Sequence, residues 1–383
     1  MSSQSAQPAA KMRHRIRLRK MSDLATKVCA FIPLMLIVLY IFIVFMSTLT
    51  RVQREFLFLH RLRIPTWKKF HSPEYYGLAP FKTRNFKLET PDGETLGTWH
   101  VLPQGVYVEQ EPFPPRERLP DTIFDDAFGQ RPTIIYFHGN AATRAQPHRV
   151  RGYMEMSGRL NCNVVAVDYR GFADSSGKPS QEGVIIDART TYDWVAKKIK
   201  TAGADPATNI ILCGHSLGTG VTSALAERLA AEGTFPRAII LIAPFSSVID
   251  LVDSFYLFGF FPVFHPLKAV PRIKEYIRSS WADPFESKHS LLTTSSPMLL
   301  LHTLNDGVIP STHSETLFNV MLNRSGAQNK PHVEETNYEG WGTLKVAYPN
   351  GLPLIKWEGK HGGHNDLGWA EGTFDLMAWV ADL

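Results

Sequence analysis

Short apolar runs alternate with longer amphipathic stretches from about residue 130 to the end of the chain. A run of four or five mostly apolar residues is typical of a strand buried on both faces, and the stretches between these runs have helical composition. This alternation predicts a parallel sheet with helices on both faces. The predicted strands are residues 133–137, 164–167, 210–213, 238–242, 298–301 and 354–357.

Two earlier runs, 86–89 and 96–102, are predicted to add an antiparallel pair at one edge of the sheet, with Asp92 and Gly93 in the hairpin turn. The predicted fold class is therefore α/β, with a mostly parallel central sheet. Ligands of such sheets bind beyond the carboxyl ends of the strands. The residues that directly follow each strand are thus the first candidates for chemistry.

Residues 28–50 follow a different pattern, because they form an apolar segment without a charged residue. At about 1.5 Å per residue, a helix of this length covers about 34 Å, more than the roughly 30 Å of a bilayer core. We therefore expect a transmembrane anchor. The alternative is a cleavable signal peptide, whose apolar region would be only about 7 to 15 residues long.

The positive charge of the chain lies mostly before that segment. The whole chain carries +5 at pH 7, whereas residues 1–27 alone hold seven basic side chains and one acidic one. The near-neutral remainder argues against a nucleic-acid groove, and the basic tail favours a cytoplasmic N-terminus, although four arginines between 51 and 63 partly balance it. Asn323 would then lie in the lumen, where its Asn-x-Ser pattern permits N-glycosylation.

Ser216 follows the apolar run 210–213 within the pattern G-H-S-L-G. A strand, a tight turn and a helix are the setting of a nucleophile elbow, where bare glycines, here Gly214 and Gly218, prevent collisions around the serine. Ser216 is therefore the candidate nucleophile. The alternative is a structural turn that happens to contain a serine.

Two later strand ends supply partners for this serine. Asp306 follows the strand predicted at 298–301, and His364 follows the last strand. The chain order serine, aspartate, histidine is that of an α/β-hydrolase triad, in which the histidine is the general base and the aspartate orients it. His361 is the rival base, and a solvated turn is the alternative for Asp306.

The strand ending at residue 137 is followed by a glycine turn whose backbone amides can approach a reacting oxygen closely. We expect the N–H groups of Leu217 and Asn140 to form the oxyanion hole. This chemistry needs no cofactor. The three cysteines of the chain indicate neither a disulfide framework nor a metal cluster.

Five motifs together resemble the α/β-hydrolase domain-containing protein 12 family. They are H-G-N-A at 138–141, D-Y-R-G-F at 168–172, G-H-S-L-G-T-G at 214–220, D-G-V-I-P at 306–310 and H-N-D-L-G at 364–368. The resemblance covers about residues 85–383 together with the anchor. It implies a lysophosphatidylserine lipase that also hydrolyses monoacylglycerols, located in the endoplasmic-reticulum membrane with a lumenal active site. The family pattern implies the same triad, Ser216, Asp306 and His364.

The predicted organisation has four segments. They are a basic cytoplasmic tail at 1–27, the transmembrane anchor at 28–50, a juxtamembrane linker at 51–84 and an α/β-hydrolase domain at 85–383 with a cap insertion at about 245–296. A second insertion at 324–353 departs from the family pattern and leaves the substrate preference open.

Several side chains are candidates for binding a lipid substrate. Phe258, Phe260 and Phe261 belong to an aromatic run in the cap that suggests an acyl-chain pocket, with ordinary core packing as the alternative. Arg144 and Arg170 lie in loops near the predicted oxyanion turn and are candidates for binding an acidic head group, with solvated surface charges as the alternative.

Three classes of function follow from these patterns. The first is a lipid acyl-ester hydrolase whose partner is a membrane lipid rather than nucleic acid. The second keeps the triad but acts on protein, as an acyl-protein thioesterase or a serine peptidase. The third is a non-catalytic binding protein on a hydrolase fold, which would usually lack the nucleophile or the base.

Overall fold

The computed structural model describes residues 7–254, 256–257, 261–262, 264–324 and 331–383. For residues 7–11, 18, 22–30, 256–257, 261–262 and 369 only the backbone is described. The chain divides into two compact units, one ending at Gln53 and the other comprising Arg54–Leu383.

The first unit is helical. It holds α1 (Gln7–Met46) and the start of α2 (Thr50–Phe58). Within the described residues, no helix by itself has the length and apolar composition to cross a membrane, whereas Phe31–Met46 and Thr50–Phe58 meet that criterion together as a bent pair.

The second unit is built on strands. The strands of the described chain are β1 (Thr83–Glu89), β2 (Thr95–Val101), β3 (Thr133–Phe137), β4 (Asn163–Val167), β5 (Ile210–His215), β6 (Ala238–Ile242), β7 (Tyr256–Leu257), β8 (Phe261–Pro262), β9 (Met298–Thr303), β10 (Val333–Tyr338), β11 (Gly342–Ala347) and β12 (Leu354–Gly359). Ten of them form one mixed sheet in the order β1-β2-β4-β3-β5-β6-β9-β12-β11-β10. The eight strands expected from the sequence are confirmed, each to within three residues at either end.

The two ends of the sheet are antiparallel. At one end, β1 pairs antiparallel with β2, and β2 pairs antiparallel with β4. The six central strands β3, β4, β5, β6, β9 and β12 pair in parallel. At the other end β10 and β11 form a hairpin that pairs with β12. This hairpin occupies much of the insertion at 324–353 and was not predicted, because β10 reads V-E-E-T-N-Y and is mostly exposed.

Helices cover the sheet. They are α3 (Gln104–Val108), α4 (Asp121–Gln130), α5 (Pro147–Gly158), α6 (Gln181–Thr201), α7 (Pro206–Asn209), α8 (Leu217–Ala231), α9 (Val248–Asp253), α10 (Pro271–Ser279), α11 (Ser287–Ser290), α12 (Thr312–Leu322) and α13 (Glu371–Ala381). Alternate residues of a strand point to opposite faces. On β3, Ile134 and Tyr136 accordingly belong to one core cluster, and Ile135 and Phe137 belong to a second one on the opposite face.

The second unit begins earlier in the chain than expected. The sequence predicted a linker at 51–84, but Phe58, Phe70 and Leu78 are buried in the same two clusters that β3 contacts. The compact unit accordingly starts at Arg54. Burial of these aromatic and aliphatic side chains is what makes the segment part of the folded body rather than a tether.

The predicted cap region contains α9, α10 and α11 together with the short pair β7–β8. Phe258 and Phe260 lie outside the described residues, and only the backbone of Phe261 is described. Their suggested role in acyl-chain binding therefore stays a prediction.

Candidate active site

Ser216 sits at the sharp corner between β5 and α8. Its backbone has φ 52° and ψ −120°, a conformation that is sparsely populated for a residue with a side chain. A Cβ at Gly214 would lie 2.4 Å from the Gly218 carbonyl oxygen, and one at Gly218 would lie 1.9 Å from the Phe137 carbonyl oxygen. The strand and helix can approach this closely only because both positions are glycine.

Two loops bring a histidine and an aspartate to this serine. His364, in the loop after β12, places Nε2 2.9 Å from Ser216 Oγ and Nδ1 2.8 Å from Asp306 Oδ2. Asp306 lies in the loop after β9, the parallel neighbour of β12. His361 is exposed and makes neither contact within the described structure. The geometry thus favours His364 over His361 as the base.

The carboxylate of Asp306 is held in its charged form. Its Oδ1 accepts hydrogen bonds from the backbone N–H groups of Val308 at 2.8 Å and Ile309 at 2.9 Å. Burial would raise the pKa of Asp306, but hydrogen bonds from His302 and His364 together lower it below its ordinary value. The residue is therefore ionised at neutral pH and can stabilise an imidazolium at His364.

The glycine turn after β3 packs against the elbow. A Cβ at Gly139 would lie 3.1 Å from Ser216 Cβ. Within the described residues, the backbone N–H groups of Asn140 and Leu217 donate to no acceptor. Both predicted oxyanion donors therefore remain available to a ligand beside the serine.

Contacts that the sequence did not suggest hold the histidine loop. His215 Nε2 lies 2.9 Å from the His364 carbonyl oxygen, and Thr303 Oγ1 donates to the Gly363 carbonyl at 2.8 Å. Asn305 Oδ1 accepts from the Gly363 N–H at 2.9 Å. These bonds join the ends of β5, β9 and β12, and no local sequence pattern predicts them.

The two arginines proposed for substrate binding form ion pairs with acidic side chains of the protein. Arg144 is fully buried and donates to Asp168, Asp174 and Asn85. Arg170 is 7% exposed. It pairs with Asp92 and Asp187. Both guanidinium groups are buried and already paired with acidic side chains of the protein, so these contacts do not support binding of a head group, and the role of the two arginines stays a prediction.

Two further residues from the sequence analysis have clear surroundings. Asp168, in the D-Y-R-G-F motif, contacts His138 at 3.2 Å and Arg144 at 2.5 Å. Asn323 is exposed at the end of α12, where its side-chain amide donates to the Asn319 carbonyl oxygen at 2.7 Å.

Comparison with known proteins agrees with the fold. A family model described as the α/β hydrolase fold matches residues 134–256. The chain is 32% identical to lysophosphatidylserine lipase ABHD12 of Danio rerio, over 70% of this chain and 66% of that protein. It is also 32% identical to ABHD12 of Macaca fascicularis, over 74% of this chain and 67% of that protein. The chain belongs to the ABHD12 family.

The match to members of the ABHD12 family is not end to end, since the chain spans 66% of the zebrafish protein. Among solved structures, an α/β hydrolase from Vibrio vulnificus superposes with a TM-score of 0.55 at 16% identity, covering 88% of this chain and 92% of that chain. At this identity the likeness concerns the fold alone.

Proposed function

We propose that this chain is a serine hydrolase that cleaves the acyl ester of lysophospholipids resembling lysophosphatidylserine, and also of monoacylglycerols. The observation that carries the proposal is the continuous hydrogen-bonded chain from Asp306 through His364 to Ser216. Membership of a family whose curated members are named lysophosphatidylserine lipases supports the substrate class.

The proposed reaction has two halves. His364 Nε2 takes the proton from Ser216 Oγ as the oxygen attacks the acyl carbonyl, and Asp306 stabilises the imidazolium that forms. The N–H groups of Leu217 and Asn140 bind the tetrahedral oxyanion, and His364 then gives its proton to the departing glycerol oxygen. In the second half a water molecule, deprotonated by His364, attacks the acyl-enzyme and releases the fatty acid and Ser216.

The oxyanion donors are proposed to supply a large part of the rate. Removing a single such donor in comparable enzymes costs roughly 10²- to 10³-fold in kcat. A serine at positive φ between two obligatory glycines is fixed before the substrate arrives. The attacking oxygen and the amide of Leu217 therefore need no rearrangement during the reaction.

We further propose that residues 28–50 anchor the enzyme in the endoplasmic-reticulum membrane, with the basic tail in the cytoplasm and the catalytic unit in the lumen. In support, the apolar side chains between Phe31 and Phe45 in α1 are largely exposed, for example Phe31 at 64% and Ile41 at 60%. Side chains of this kind favour a hydrocarbon surrounding over water. Protease protection of the catalytic unit in sealed microsomes tests the orientation, and digestion without detergent would contradict it.

The substrate class is tested with the purified full chain on lysophosphatidylserine, other lysophospholipids, monoacylglycerol and an acylated protein thioester, side by side. We expect lysophosphatidylserine and monoacylglycerol to be cleaved. The Ser216→Ala protein should remain folded and cleave none of the substrates. Preference for the thioester would favour the alternative, an acyl-protein thioesterase. A wild-type protein inert toward every acyl substrate and toward a fluorophosphonate probe would leave only a binding role.

A further inference from the structure

The loop that carries the Asn140 amide is held by a segment that comes much earlier in the chain. Residues 58–64, here called the strap, run beside residues 138–143, here called the oxyanion loop. Three hydrogen bonds join them, from Ala141 N to Phe58 O at 2.9 Å, from Ala142 N to Leu62 O at 2.7 Å and from Thr143 Oγ1 to Ile64 O at 3.3 Å. The strap thus acts mainly through its backbone carbonyls.

The oxyanion loop has a shape that its own residues do not favour. Ala141 and Ala142 have φ values of 55° and 57°, in the left-handed region where a Cβ collides with the backbone. Two consecutive alanines remain there only when surrounding contacts impose the conformation. The strap bonds fall on the N–H groups of these same two residues.

Arg149 grips the opposite side of the same loop. Its Nη2 donates to the carbonyl oxygens of Gly139, Asn140 and Ala141 at 3.1 to 3.2 Å, and its Nη1 donates to that of Thr143 at 2.9 Å. The guanidinium is almost fully buried, with a residue exposure of 3%. One side of the oxyanion loop is therefore fixed through carbonyls, and the other through N–H groups.

The pattern singles out one peptide unit. In a planar trans peptide the C=O and the N–H point in opposite directions. The units 140–141 and 141–142 are each bound at both ends, with the oxygen on Arg149 and the N–H on the strap. The preceding unit has its Gly139 oxygen on Arg149 but its Asn140 N–H without an acceptor in the described structure. That N–H is the predicted oxyanion donor.

The strap itself is fastened to the body near the elbow. Phe58 is fully buried and belongs to the same core cluster as Leu217, which carries the second predicted donor, and its ring lies 6.4 Å from that of Phe285. Four residues earlier, Arg54 pairs with the buried Asp283 at 2.7 Å. Displacing Phe58 would therefore shift the carbonyl that orients Ala141.

We propose that the strap is a positioning element of the catalytic site, which aims the Asn140 N–H at the oxyanion by clamping the two peptide units that follow it. The inference rests on the proposed function, because it assigns the strap a role in transition-state binding. It makes the segment between the N-terminal helix and the sheet a determinant of kcat rather than a spacer.

The test compares two substitutions in the full-length chain, Phe58→Ala and Phe128→Ala, which remove the same side-chain atoms. Phe128 is also fully buried in the same core cluster but packs against His100 and Trp194, away from the strap. Both variants should lower the thermal unfolding midpoint. On a water-soluble butyrate ester, Phe58→Ala should lose about 10²-fold in kcat, the loss expected for a misplaced oxyanion donor, with KM changed by no more than about twofold. Phe128→Ala should keep kcat within about threefold of the wild type, per folded enzyme.

Phe58→Leu is measured alongside, since it keeps an apolar side chain in the cluster and decides the matter if the alanine variant does not fold. It should lose at least about fivefold in kcat at unchanged KM. A normal kcat in the folded strap variants, or an equal loss in Phe128→Ala, would overturn the role of the strap. An inactive wild type would instead refute the proposed function, so the two failures are distinguishable.

Discussion

Replacing Asp306 by asparagine tests the electrostatics of the triad with little change of shape. The side chain is fully buried, and its Oδ1 accepts from the N–H groups of Val308 and Ile309. An asparagine must keep its oxygen at that position, because two donors face it there. Its NH2 group then faces His364 Nδ1, where the carboxylate oxygen now lies at 2.8 Å.

This forced orientation sets the size of the effect. Opposite an NH2 group, His364 is driven to the tautomer that has its proton on Nε2, and Nε2 can then no longer accept the Ser216 proton. The same substitution in the well-studied serine protease triad lowers kcat by about 10⁴-fold. At about 1.36 kcal/mol per factor of ten, this is about 5.5 kcal/mol of lost transition-state stabilisation. We expect a loss of that order here, with KM nearly unchanged.

The assay is kcat on a water-soluble ester from about pH 6 to pH 9, with the folded fraction measured by thermal unfolding. Asp366→Asn is the matched control, because Asp366 is an exposed aspartate two residues after His364. The control should change kcat by less than about twofold. An Asp306→Asn enzyme that keeps more than about a tenth of the wild-type kcat would refute the orienting role.

His364→Ala should be as damaging to ester hydrolysis as loss of the nucleophile, whereas His361→Ala should retain most activity, and the reverse result would move the base to His361. Gly218→Ala should reduce kcat by more than about 10²-fold, because a Cβ 1.9 Å from a β3 carbonyl oxygen must push the start of α8 out of place. Gly158→Ala is the control in the same assay and should be tolerated, since a Cβ at Gly158 would meet open space. Burial, followed by nearby charge, lowers the pKa of His100 to about 3. An unfolded histidine titrates near 6.5, so the unfolded state binds the extra proton and stability should fall as pH drops from about 6.5 toward 3. Because burial also lowers the pKa of His148 and His313, His100→Gln should make that slope less steep without abolishing it, and an unchanged slope would contradict the pKa of His100.

The strands and the triad were accessible to sequence reasoning for one physical reason. A strand buried on both faces carries mostly apolar side chains, so residues 134–137 of β3, 210–213 of β5 and 238–242 of β6 stand out as uninterrupted runs. Parallel strands then deliver the residues after them to one edge of the sheet. Ser216, Asp306 and His364 could therefore be brought together from strand ends alone.

The features that sequence reasoning missed leave no local signal in the sequence. Whether Arg144 is solvated or buried depends on Asp168 and Asp174, which lie 24 and 30 residues away, and nothing local records that pairing. The burial of Phe58 likewise depends on the distant Phe285. β10 was missed because a strand that faces solvent carries no apolar signal.

The position of β10 at the edge of the sheet affects how the protein behaves in solution at high concentration. β10 ends the ten-stranded sheet, so its outer row of N–H and C=O groups has no further strand beside it in the described structure. An open row of this kind can template polymerisation. Glu334 and Glu335 are exposed on opposite faces of the edge, and a second copy of the strand docking there would meet carboxylates on both sides. The polarity that hid β10 from prediction is thus a barrier to edge-to-edge aggregation. Neutralising both glutamates should therefore increase aggregation through β10.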